Sequence, residues 1–190
     1  MRTETKHLKI LAASLITIGI AVAQNPNSHT AHVRPKGPAV ATVTLIDGSV
    51  HPELITDQEA ITVFWISLME PPGADEAARN RFAAKISKIK LDPSESALVW
   101  TAAQKFYRDF MPLRDRAQAL ADSAVAHQAS TANSYVVAQQ RAAVANSVDQ
   151  LALNFHTSLL VKLSPSAVAS FRANLADVKA HMKIVPPPSM

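Results

Sequence analysis

Between Thr56 and Met182 the apolar residues return every three or four positions, a spacing that admits little besides helices. Ile61, Phe64, Trp65, Leu68 and Met69 form one stripe behind Thr56-Asp57-Gln58-Glu59. Those four residues have the form of a capping box, in which threonine hydroxyl and glutamate carboxylate each accept from the other's amide. Pro71-Pro72-Gly73 closes this first helix. A second is expected from Asp75 to Ile89, with Ala78, Phe82, Ile86 and Ile89 inward and Arg81, Lys85 and Lys88 outward. Asp92-Pro93-Ser94-Glu95 opens a third with an acidic cap, a proline at the first helical position and a glutamate at the third. Its stripe Val99, Ala103, Phe106, Phe110, Leu113, Ala117, Leu120, Ala124 keeps near-heptad spacing, so coiled-coil-like packing follows. Pro112 lies inside that stripe and predicts a kink there, because the pattern continues in phase beyond it.

Residues 128–134 are the expected turn into a fourth helix, which carries Val137, Val144, Val148, Leu151, Phe155 and Leu159 inward as far as about Leu163. Ser164-Pro165 caps a fifth, with Val168, Phe171, Leu175, Val178 and Met182. The composition agrees: 33 Ala beside 4 Gly favours helix, since alanine loses least conformational entropy there and glycine most. The fold class expected is all-α, a bundle of about five helices built on a long antiparallel hairpin of 92–127 against 134–163. The helical domain spans 51–185, between a flexible N-terminal arm over 24–50 and a Pro-rich tail over 186–190. Within the arm, Val40 to Ile46 alternates loosely and stops at Asp47-Gly48, as a lone extended segment would. No second strand-like run follows it in the sequence.

The first 23 residues have a different logic. Arg2, Lys6 and Lys9 precede an apolar run from Ile10 that ends in Ala21-Val22-Ala23. That is the form of an export signal with a small-residue cleavage site, and the run is shorter than the ~20 residues a spanning helix needs. The expected mature protein has no membrane segment. Removing 1–23 takes three basic residues and one acidic one from 19 Lys plus Arg and 15 Asp plus Glu, which leaves 16 against 14 and a net charge of +2. A chain so nearly neutral gives little support to nucleic-acid binding. There is no cysteine and no Asn-x-Ser/Thr acceptor. Together with the signal, these features point to a bacterial periplasmic or secreted protein with no disulfide.

The sequence offers little chemistry. It contains no nucleophile elbow, zinc-protease motif or Gly-rich phosphate loop, and Asp109, Asp115 and Asp122 alternate with Arg108, Arg114 and Arg116 as surface charge does. His29 and His32 fall in the arm, His51 precedes a proline, and His127, His156 and His181 are widely spaced, so no metal site is expected. The reading is of a non-enzymatic protein without cofactor that acts on other proteins. Arg81, Lys85 and Lys88 make a short basic stripe, read as a solvated face.

Two further groups stand out. Trp100, Tyr107 and Met111 form a second apolar line about 100° around the third helix. Either that helix is central and packed on two sides, or this line, with Trp65, is an apolar contact surface for a protein. Arg141 interrupts the fourth stripe, and a turn near 131 sets it across from Asp122, which suggests a pair fixing the register. Finally, Leu91-Asp92-Pro93-Ser94 and Leu163-Ser164-Pro165-Ser166 each open a helix. They loosely resemble the Leu-Thr-x-x-Gln helix starts of the small helical periplasmic chaperones that respond to envelope stress, with Glu95 and Ala167 where the glutamine would stand. The resemblance covers eight residues; it implies a chaperone-like cradle for unfolded polypeptides and assigns no family.

Overall fold

A computed structural model of the chain describes residues 45–126 and 131–184. The signal segment, residues 24–44 of the arm and the tail over 186–190 lie outside the described residues. The described chain is mostly helical: α1 (Asp57–Leu68), α2 (Glu76–Ile86), α3 (Pro93–Ala126), α4 (Thr131–Leu160) and α5 (Pro165–His181). A 3-10 turn at Pro52–Leu54 precedes α1, and two short strands, β1 (Ile46–Asp47) and β2 (Lys183–Ile184), form an antiparallel pair.

Local chemistry fixes the helix starts. Thr56 Oγ1 accepts from the Glu59 amide at 3.2 Å while the Glu59 carboxylate accepts from the Thr56 amide at 2.8 Å. Asp75 accepts from the Ala78 amide at 2.8 Å and Asp92 from the Glu95 amide at 2.8 Å, and Ser164 Oγ accepts from the Ala167 amide at 3.3 Å. Each satisfies a donor that a helix leaves unpaired at its first turn. Between α1 and α2 the chain turns at Gly73, whose φ of 76° suits a residue without a Cβ. Pro112 stays within the single helix α3, and α4 begins at Thr131, earlier than the expected start at 134. The strong caps at Asp75, Asp92 and Ser164 carry their own sequence signature, whereas the start of α4 has none and was misplaced.

The stripes close on one another. Ile61, Phe64, Trp65, Leu68 and Met69 of α1 are buried together with Phe82 and Ile86 of α2, Val99, Ala103, Phe106 and Phe110 of α3, Val148, Ala152 and Leu159 of α4, and Phe171 and Leu175 of α5. The Trp65 ring lies 5.5 Å from Phe106 and 5.7 Å from Phe155, Phe106 lies 5.4 Å from Phe155, and Phe64 lies 5.5 Å from Phe171. Burying each of these large side chains is worth roughly 1.5–3 kcal/mol. The most extensive interface joins α3 and α4, and the 12-residue α1 touches α3, α4 and α5. The central position expected for the third helix is therefore shared with α1, whose stripe is short but wide.

The strand pair corrects the expectation of a lone extended segment. Ile46 pairs with Ile184 and Asp47 with Lys183, and the Gly48 amide donates to the Met182 carbonyl at 2.8 Å. A Cβ at Gly48 would collide with the Lys179 carbonyl oxygen, so the close approach requires glycine. Two residues are too few to show a period-two pattern, and the partner lies at the far end of the chain, so no local signal marks this pairing.

Candidate functional site

Of the residues singled out as an apolar contact surface, one is sealed and three are half-buried. Trp65 is fully buried at the centre of the aromatic cluster and is corrected to a core residue. Its position on α1 puts it between α3 and α4, so a partner cannot reach it. Trp100 is half-buried because α2 lies over it: the Phe82 ring sits edge-on at 4.9 Å and the Arg79 guanidinium 5.7 Å from the indole centroid. Tyr107 and Met111, about two and three turns further along α3, are also half-buried, and Tyr107 leans on the core.

The Asp122–Arg141 pair is likewise not made. Gln118, one turn back on α3, donates to Asp122 Oδ1 at 2.8 Å, a local contact that needs no second helix. Among the described residues Arg141 forms no ion pair, and its Nε is buried without a hydrogen-bond partner. An uncompensated donor of this kind costs stability where it stands.

Charges meet elsewhere. Arg81 and Lys85 reach the buried carboxylate of Glu70 at 3.9 and 3.4 Å, and Lys88 reaches Asp177 of α5 at 2.7 Å. The basic stripe is thus tied to carboxylates of other segments. Between α1 and α4, Thr62 Oγ1 donates to Asp149 Oδ1 at 2.8 Å. Burial pushes the Asp149 carboxyl above its ordinary value, against the Thr62 hydrogen bond, and the Glu59 charge adds to the rise.

Of the histidines, His51 faces Glu53 at 3.1 Å on the surface and His181 contacts the Asp177 carbonyl at 2.7 Å. His156 is buried in α4 with its Nδ1 unpartnered and its ring 6.3 Å from Phe171. Burial depresses its pKa. His29 and His32 lie outside the described residues, as does His127. Among the described residues no three His, Cys, Asp or Glu side chains converge as metal ligands, and no helix is long and apolar enough to cross a membrane.

What the sequence reading missed is where the core stops. Phe110 is the last core residue on α3 and Val148 the first on α4, with Leu113 packed against their edge. Yet α3 runs on to Ala126, and α4 starts at Thr131. This outer stretch of α3 is roughly 20 Å long at 1.5 Å per residue. On the corresponding stretch of α4, Val137 and Val144 are buried but stand outside the core, while Tyr135 and Val136 are 67% and 48% exposed. Where the pair leaves the core, Leu113 and Leu151 floor an open groove of about 420 Å³ edged by Asn146, Ser147, Gln150 and Asn154. The spacing of Asn146, Gln150 and Asn154 at successive turns is visible in the sequence, but nothing local shows that α3 leaves that side open.

Compared with known protein families, curated proteins and solved structures, the chain matches none of them.

Proposed function

We propose that the chain is an exported, non-catalytic helical protein that works through protein–protein contacts made by the outer half of α3 and α4. In this reading the two helices are an antiparallel hairpin, the bundle forms around its inner half, and the outer half is an arm offered to a partner. Export rests on the signal-like segment 1–23. The observation that carries the contact role is the end of the core at Phe110 and Val148, while both helices extend well past those residues. A two-helix stretch can bury only one face of each helix, and the other faces remain available. The exposed Tyr135 and Val136 supply apolar contact there.

Contacts across the pair support the hairpin. Glu95 at the start of α3 meets the Ser164 amide just past α4, and Phe106 stacks edge-on with Phe155. The alternative cradle lined by Trp65, Trp100, Tyr107 and Met111 has less behind it, because Trp65 is sealed and Trp100 is covered by α2.

The test is a photoreactive benzophenone residue placed at Tyr135, with a control at the exposed Arg172 of α5, in cells exporting the full chain. Discrete adducts at Tyr135 that are missing at Arg172 are expected. The same adducts at both positions, or none at Tyr135, would overturn the arm as contact surface. A ladder of many different polypeptides would turn the reading toward a chaperone.

A further inference from the structure

The helix α5 is attached differently from the other long helices. Its N-cap amide at Ser164 donates to Glu95 Oε1 at 2.8 Å, while Oε2 of the same buried carboxylate takes the Asp92 amide at 3.0 Å. Further along, Asp177 binds Lys88 at 2.7 Å and Lys179 binds Asp57 at the start of α1. Beyond its end, Lys183 binds Asp47 at 3.0 Å. The middle of α5 rests Phe171 against Phe64 and His156. Every one of these ties except Phe171–Phe64 includes a carboxylate or an imidazole. The α3–α4 seam has no such dependence: among the described residues the ion pairs of α3 stay within it, Lys105–Asp109 and Arg114–Asp115, and none joins α3 to α4.

From this arrangement we infer that α5, with β2 behind it, is a strap that acid releases from the rest of the helices while α3 and α4 stay packed. His156 is the first trigger. It is 6% exposed, its Nδ1 has no partner, and among the described residues no carboxylate of α1, α3 or α5 stands within ion-pair distance to receive a charge. Burial holds its pKa below the ordinary 6.5, so the released state takes the proton more readily and falling pH favours release. The carboxylates act at lower pH. Glu95 is held below its ordinary value by hydrogen bonds from Ser164 and Asp92, Asp177 by Lys88, and Asp47, at about 2, by Ser49 and then Lys183. Their contribution is present at neutral pH and is lost as pH falls through those values. His181 stands 3.6 Å from Asp177 on α5 itself, so that contact travels with the strap. Asp149 works in the opposite sense: burial raises its pKa against the Thr62 hydrogen bond, so protonation relieves the cost of burying its charge and favours the packing of α1 on α4 in acid.

Hydrogen exchange on the full chain, read as protection factors from about pH 7 to about pH 5, tests the strap. The opening equilibrium of 165–181 should rise by up to roughly tenfold per pH unit below about 6.5, while 99–110 and 148–159 hold their protection. Loss of protection in all three segments together, or no change in 165–181, overturns the inference. In His156→Leu the rise above about pH 5 should vanish, and its persistence would overturn the trigger. Should that variant not fold, a carbon-detected titration of His156 in the unaltered chain decides the same point: a pKa at or above 6.5 removes the histidine as trigger.

Discussion

The inner and outer halves of α3 and α4 belong to the same two helices but live under different rules. Inside, Val99, Ala103 and Phe106 are wholly buried because α1 adds a third layer and α2 and α5 close the sides. Outside, Val144 and Val137 are buried at 2% and 7% but stand apart from the core cluster, and the neighbouring positions are half-buried or exposed. The stripe of α3 has the same spacing in both halves, so periodicity does not distinguish them. The difference lies in side-chain size: Phe106 and Phe110 give way to Ala117, Leu120, Ala121 and Ala124. Large aromatics need several neighbours to be covered, whereas alanine lets two helices approach closely and be satisfied with each other.

Phe106→Ala should make the largest difference between the halves. Removing a ring that contacts Trp65, Phe110 and Phe155 is expected to cost about 3–5 kcal/mol in chemical denaturation, with all five helices unfolding together. A loss confined to one helix would show that the inner half is not one cooperative unit. Val144→Ala is the matching change in the outer half and should cost about 1.5 kcal/mol, the transfer energy of two buried methylene equivalents. Its signature is faster exchange in 114–124 and 137–147 with the inner half unaffected. An equal effect on both halves would abolish the distinction.

Asp149 stands at the boundary, next to the first core residue of α4. Asp149→Asn keeps an acceptor for Thr62 and removes a carboxylate whose pKa the fold raises from 3.8. A raised value means that the charged form is disfavoured in the fold, so the substitution should stabilise at pH 7 and lose that advantage toward pH 4. Denaturation midpoints at both pH values check the sign, and a stabilisation that grows in acid would contradict it. The smallest effect is expected at Arg141→Met, which removes the orphaned Nε and keeps the stem. A gain of about 1 kcal/mol or less in thermal unfolding is predicted, and a clear loss would reveal a partner for the guanidinium.

Much of the helical pattern was legible from particular residues. Thr56 with Glu59, Asp75, Asp92 with Glu95, and Ser164 with Pro165 marked four helix starts because a cap is made within four residues of chain. The candidate site was not legible in the same way. Trp100 and Trp65 look alike in a sequence as large apolar residues on helical stripes, and only the neighbouring elements decide that one is covered by α2 and the other sealed at the centre. Asp122 and Arg141 were matched by register alone, which ignored a nearer partner, Gln118, on the same helix.

By itself the sequence determined the number of helices, the starts of four of them, and which face of each turns inward, since capping and periodicity act over a few residues. Tertiary structure decided where the core ends along α3 and α4, that Lys183 and Ile184 return to Ile46 and Asp47, and that charged ties hold α5 to the other helices. Those outcomes depend on residues far apart in the chain meeting in space. Burial and electrostatics act between such residues without leaving a local pattern.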